Sequence, residues 1–142
     1  MKQFLLDTNV LLDLLLDRSP WAADAASLWE AHRQGQIKVW IAAFSLPTIY
    51  YVVRKQGGLP AARTAVEACV RTLDIASTDQ AALLAAHALA GPDFEDDLQI
   101  ACAIQAGVDA IVTRDPGGFT ASPISVLTPA EVVATLSGPT TL

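Results

Sequence analysis

The chain has 142 residues, 52% of them hydrophobic, and a formal net charge of −6. That length suits one domain with a sizeable buried core and leaves no room for a second of ordinary size. The excess of acid excludes a protein that holds nucleic acid by a broad basic surface, because neutralising phosphates takes many Lys and Arg; any such contact must be local or work through a cation or a basic partner. Between Met1-Lys2-Gln3 and Asp7 stand only the apolar residues Phe4, Leu5 and Leu6, too few for a secretory signal. Asp13 interrupts the run from Val10 to Leu16, and no apolar stretch approaches the roughly 18 residues of a membrane span. The expectation is a cytoplasmic protein that does not enter a membrane.

The elements follow in order. A strand is predicted over Gln3–Leu6, then a helix capped by Thr8 or Asn9 that runs to about Asp17, before Arg18-Ser19-Pro20 ends it. Trp21–Arg33 has Ala22, Ala25, Ala26 and Trp29 at helical spacing, with Gly35 as the stop. A strand over Ile37–Ala42 precedes a helix that Ser45 caps and Gly57-Gly58 breaks, and Pro60 starts a fourth helix to about Leu73, making a helical hairpin. Leu73–Ala76 reads as a strand, and Ser77-Thr78-Asp79 caps a helix over Gln80–Leu89. A sixth helix over Phe94–Gln105 stops at Gly107; the strand Ala110–Thr113, the loop Asp115-Pro116-Gly117-Gly118, the strand Ile124–Leu127 and a helix opened by Thr128-Pro129 complete the chain. Strands alternating with helices predict a three-layer α/β/α sandwich around a central parallel sheet. One domain is expected over 1–137, with a polar tail over 138–142.

Three acids fall at element ends of such a sheet. Asp7 follows the first strand, Asp96 lies in the first turn of the sixth helix, and Asp115 comes just after the fourth strand. Parallel strands share a direction, so the positions after Leu6 and Thr113 lie at one edge, where open α/β sheets place their chemistry. Converging carboxylates repel one another unless a cation or bound protons compensate, and an all-oxygen set suits Mg2+ or Mn2+ better than Zn2+. Each acid alone also has a structural explanation, since Asp caps helices and holds turns. Asp93, Glu95, Asp96 and Asp97 crowd one helix start, where the dipole favours acids whatever their function. Periodicity does not choose between Asp96 and Asp97: the first shares a face with Ile100 and Ala103, the second with Ile100, Ala101 and Ile104.

Read together, Leu5-Leu6-Asp7-Thr8-Asn9-Val10-Leu11-Leu12, Phe94-Glu95-Asp96-Asp97-Leu98-Gln99-Ile100-Ala101-Cys102-Ala103 and Ile111-Val112-Thr113-Arg114-Asp115 with Phe119 resemble the PIN-domain family of metal-dependent ribonucleases, which includes the VapC-type toxins of toxin–antitoxin pairs. The resemblance covers nearly the whole chain. It implies that Asp7, Asp96 and Asp115 are the catalytic, metal-binding acids, with Asp96 preferred to Asp97 because that register places Leu98, Ala101 and Ala103 on the family's pattern. Asn9 and Thr113 match polar positions lining the same pocket in supporting roles. The implied chemistry is Mg2+- or Mn2+-assisted hydrolysis of RNA by an activated water, in a homodimer restrained by a cognate antitoxin.

One departure stands out. Most members carry a further acid, commonly Glu, early in the helix that begins here at Ser45, and the matching residue is Thr48. A hydroxyl is a poorer ligand than a carboxylate, so the number of metals is open, as is a contribution from Glu95 or Asp97, both expected to be solvated. The alternative is a non-catalytic PIN-like module that binds RNA or protein.

Nothing else in the chain offers a catalytic triad or a phosphate loop. His32 and His87 are expected on helix surfaces, and Cys69 and Cys102 as buried free thiols. Among the cations, Arg54, Lys55 and Arg63 near the Gly57-Gly58 hairpin read mostly as solvated charges. Arg114, beside the site, is the favoured phosphate contact. Trp21, Trp29, Trp40, Tyr50 and Tyr51 read first as packing, and the Leu46–Val53 face with Tyr50 is the candidate surface for self-association or antitoxin docking.

Overall fold

The computed structural model describes residues 1–136; the tail expected at 138–142 and the end of the expected domain at 137 lie outside the described residues. β1 (Gln3–Leu6) leads into α1 (Thr8–Leu15), α2 (Ala22–Arg33), β2 (Lys38–Ala42), α3 (Ser45–Gly57), α4 (Leu59–Thr72) and β3 (Asp74–Ala76). Then come α5 (Gln80–Leu89), α6 (Phe94–Ala106), β4 (Ala110–Val112), a 3₁₀ turn (Pro116–Phe119), β5 (Ser125–Leu127) and α7 (Pro129–Leu136). The five strands form one parallel sheet in the order β3-β2-β1-β4-β5. The chain therefore steps outward from β1 to β3, crosses back, and continues from β4 on the other side of β1. The crevice between the carboxyl ends of β1 and β4 is a topological switch point.

Alternation along the strands sorts the core into two halves. Phe4, Leu6, Val39, Ile41, Ala110 and Val112 pack with side chains of α1, α2, α3, α4 and α7. Leu5, Ala42, Ala76 and Ile111 face the other way, against α5 and α6. This is the expected three-layer α/β/α arrangement. Strands covered on both faces need apolar residues at every position, which is why Phe4-Leu5-Leu6 and Ala110-Ile111-Val112 lack a polar alternate. Each fully buried Leu or Ile here contributes about 1.5–3 kcal/mol by leaving water.

Local signals set the element ends. Asp79 caps α5 by accepting from the Ala82 amide at 2.9 Å, and Asp93 caps α6 through the Asp96 amide at 3.1 Å. Gly107, at φ +73°, closes α6 in the left-handed conformation that suits glycine. α1 ends at Leu15, short of the expected Asp17, because Asp17 itself adopts a positive φ of 51°.

His32 departs from expectation. Its Nδ1 accepts the Val39 amide at 2.9 Å and its Nε2 lies 2.6 Å from the Thr72 carbonyl, so the ring ties α2 to β2 and to the end of α4. A surface role holds for His87, which is exposed, but not for His32. Cys69 and Cys102 are buried and free as expected, and burial pushes the Cys69 thiol up to about 11.

Candidate functional site at the carboxyl edge of the sheet

Asp7 extends β1 by one residue: its amide donates to the Val112 carbonyl at 2.9 Å, continuing the pairing with β4. It occupies the N-cap position of α1, yet its carboxylate makes no capping bond. Instead Oδ2 accepts the Thr113 hydroxyl at 2.9 Å. Thr113 extends β4 in the same way, with its amide bonded to the Leu127 carbonyl at 2.9 Å and only 1% of its surface exposed. Its Oγ1 also accepts the Asp115 amide at 3.1 Å. One buried hydroxyl thus joins two of the three element-end acids. Burial raises the Asp7 pKa above the ordinary carboxylate value, outweighing the lowering by the Thr113 bond, the Thr8 amide and the Arg114 charge.

Asp96 reaches the same edge from the first turn of α6. Its carboxyl is pushed up to about 6, first by burial and then by the negative charges of Asp93, Asp7, Asp115 and Glu95. The turn after Asp115 comes close on the other side. A Cβ placed on Gly118 would stand 3.0 Å from Asp96 Oδ2 and 3.7 Å from Asp115 Oδ2, so the turn lies close against both carboxylates and a side chain there would displace that of Asp96.

Asp96 and Asp97 differ in burial and in partners. Asp97 is 4% exposed and accepts the Gly91 amide at 2.9 Å, so it fastens the α5–α6 connection. The expectation that Asp97 is solvated fails because its turn of α6 faces that connection. Glu95 is exposed, as expected. Asn9 and Thr48 are exposed as well, Thr48 standing one helical turn beyond Ser45.

Ser45 caps no helix. Its Oγ lies 2.7 Å from Thr8 Oγ1, and the Gln99 amide donates to both, at 3.1 Å to Thr8 and 3.3 Å to Ser45. This hub ties the starts of α1 and α3 to α6 directly behind Asp7. The available signal was Gln99 itself, a polar residue between Leu98 and Ile100 that is 2% exposed.

Arg114 is engaged elsewhere than on open surface. Its Nη2 donates to Asp13 Oδ1 at 3.2 Å, its Nε sits 2.7 Å from Asp13 Oδ2 in an ion pair not aligned as a hydrogen bond, and its guanidinium stacks 3.9 Å from the Trp21 ring centre. Asp13 is 1% exposed and also lies 3.6 Å from Arg18. In the sequence Asp13 stands out only as a break in an apolar run.

The donor set of carboxylates backed by a buried hydroxyl fits a hard divalent cation in kind. Among the described residues no three acidic, His or Cys side chains form a closed ligand set.

A parallel α/β domain with acids at its switch point is the class these features define. The model of the PIN domain matches residues 3–116, and the chain belongs to that family. Among solved structures, the fold is similar to the DNA-bound VapBC complex of Salmonella typhimurium (18% identity, TM-score 0.70, 91% of this chain and 99% of that one). It is also similar to a toxin–antitoxin complex of Klebsiella pneumoniae (23%, 0.66, 88% and 96%). A third similar structure is Mycobacterium tuberculosis VapC20, a Sarcin-Ricin loop cleaving toxin (16%, 0.59, 76% and 86%). No curated protein sequence matches.

Proposed function

We propose that the protein is a Mg2+- or Mn2+-dependent endoribonuclease, with Asp7, Asp96 and Asp115 as its metal-holding and catalytic acids. The observation that carries this reading is the meeting of the three acids at one edge: the Thr113 hydroxyl joins the Asp7 carboxylate to the Asp115 backbone, and Asp96 Oδ2 and Asp115 Oδ2 both lie against the Gly118 turn, where burial and the neighbouring acids push the Asp96 carboxyl up to about 6. A fold that brings acids together without pairing them with cations stores repulsion that a divalent cation relieves. When bound there, such a cation supplies an acidified water and neutralises charge on the phosphate.

The chain's own residues do the rest. Thr113 holds the Asp7 carboxylate through its hydroxyl and the Asp115 backbone through its oxygen, a positioning role. Asp96 must lose its proton to serve as a ligand, so binding strengthens as pH rises through about 6. Arg114, one residue from Asp115, adds positive potential at Asp7, and Asn9 offers an exposed amide next to the acidic edge.

The toxin role and a cognate antitoxin are part of this proposal. They are supported by family membership and by neighbours whose structures are toxin–antitoxin complexes. A homodimer acting in the cytoplasm completes the reading, and no helix among the described residues is long and apolar enough to cross a membrane. For docking, the exposed aromatic of α3 is Tyr51, at 65%, whereas Tyr50 packs against the core. Thr48 and the open acid set favour the second reading, a PIN module that binds without cutting. Cleavage of total cellular RNA that requires Mg2+ and is lost in Asp96→Asn supports the nuclease; equal cleavage by that variant, or none by the wild type, contradicts it.

A further inference from the structure

We infer that Asp13 is a positioning residue for the acidic site, gripping Arg114 from within α1 and so fixing the Thr113–Asp115 segment against Asp7. The inference rests on the proposed metal site only for its consequence, not for its geometry. Asp7 and Asp13 belong to one rigid unit: Asp7 starts α1 and Asp13 lies six residues on, in its second turn. The segment after β4 is attached to that unit twice. Thr113 bonds the Asp7 carboxylate at 2.9 Å, and the neighbouring Arg114 meets the Asp13 carboxylate with two of its nitrogens, at 2.7 and 3.2 Å. Thr113 is also fixed to β5 through its amide bond to Leu127; the Arg114 attachment extends that hold by one residue toward Asp115. Asp115, next in sequence and bonded to Thr113 Oγ1 through its amide, inherits that placement.

The grip is firm for electrostatic reasons. A carboxylate that is 1% exposed cannot relax into water, so losing the Arg114 guanidinium would leave this buried charge with only the more distant Arg18, at 3.6 Å. The Trp21 ring lies against the guanidinium at 3.9 Å, confining its plane. A planar fork both stacks and bridges two carboxylate oxygens, which Lys does not.

Amide exchange in the metal-free full chain, read by 15N NMR, tests the clamp without any activity. In Asp13→Asn the Asp115 amide is expected to exchange about tenfold faster, while the Asp7 amide, bonded to Val112, and the Ala82 amide, bonded to Asp79, keep their wild-type rates. Arg114→Gln should reproduce that local pattern, and it decides the matter alone if Asp13→Asn does not fold. An unchanged Asp115 rate, or a rise at Asp7, Ala82 and Asp115 alike, overturns the proposal. A parallel Mn2+ titration is expected to show about tenfold weaker binding in either variant, the scale for residues that orient metal ligands. If Asp115 responds but the wild type binds no Mn2+, the clamp stands and the metal reading falls.

Discussion

Asp96 and Asp97 are neighbours on α6, and each is approached by a glycine from a connecting loop, yet the two contacts are opposite in kind. At Asp97, Gly91 donates its amide to the carboxylate at 2.9 Å. At Asp96, the Gly118 amide goes instead to the Asp115 carbonyl at 3.1 Å, and the carboxylates of Asp96 and Asp115 are left facing that turn among further acids. The first region is finished structure, with its charge buried and bonded. The second keeps acids without a bonded cation at a cost in stability, the pattern expected of the proposed ligand site. Asp13 and Asp7 repeat the contrast on α1, the one clamped by Arg114, the other desolvated and bonded to a neutral hydroxyl.

The sharpest way to break the comparison is to neutralise the unpaired side. Asp7→Asn is expected to lower RNA cleavage by about 100-fold or more, the upper end for residues at a metal centre. Its melting temperature should stay level or rise, because the amide can still accept from Thr113 and no longer carries a desolvated charge. A loss of stability matching the loss of cleavage would make Asp7 a structural acid.

The two glycines give the next test. A methyl at Gly91 would collide with the Asp97 carboxylate, which is buried and has nowhere to go, so Gly91→Ala should cost about 1–3 kcal/mol in urea unfolding. At Gly118 the methyl would stand 3.0 Å from Asp96 Oδ2, the free end of a half-buried side chain. Gly118→Ala should therefore change stability by under about 1 kcal/mol while weakening Mn2+ binding measurably in a titration. Equal stability losses at the two positions would erase the distinction.

A smaller effect is expected from pH alone. The folded-state value of about 6 for Asp96 lies above the ordinary 3.8, so the native protein holds that proton more tightly than the unfolded chain does. The resulting stability is fully present below 3.8 and is lost as pH rises through about 6; Asp7 acts in the same direction. Asp79 and Glu131 act oppositely, their pKa values held down chiefly by the Ala82 and Thr128 amides, so their contribution is lost only as pH falls below the ordinary carboxylate range. Metal-free melting curves between pH 4.5 and 7 should thus show stability falling with pH, with a shallower slope in Asp96→Asn. An identical slope in that variant would remove Asp96 from the cluster.

The fold was legible because its signals are local and agree. Unbroken apolar triplets in β1 and β4, Asp79 and Asp93 as caps, and Gly107 as a stop all act within a few residues of where they are read. The placement of Asp7, Thr113 and Asp115 at one edge followed from parallel strands alone. What the sequence did not disclose are partnerships between distant positions. Asp13 with Arg114, Gln99 with Thr8 and Ser45, and His32 with Val39 and Thr72 are polar residues satisfied across the fold, and their spacing along the chain carries no period. Asp97 looked solvated for the same reason, its partner being a backbone amide in a loop.

The central claim, that the unpaired acids are a divalent-cation site, is tested most directly by calorimetric titration of the full chain with Mn2+, set against an Asp7→Asn/Asp96→Asn double variant. Saturable heat from the wild type, lost in a double variant that melts at or above the wild-type temperature, is the expected result. Undiminished binding in the double variant, or no heat from the wild type at pH 7.5, well above the Asp96 pKa of about 6, would contradict the account.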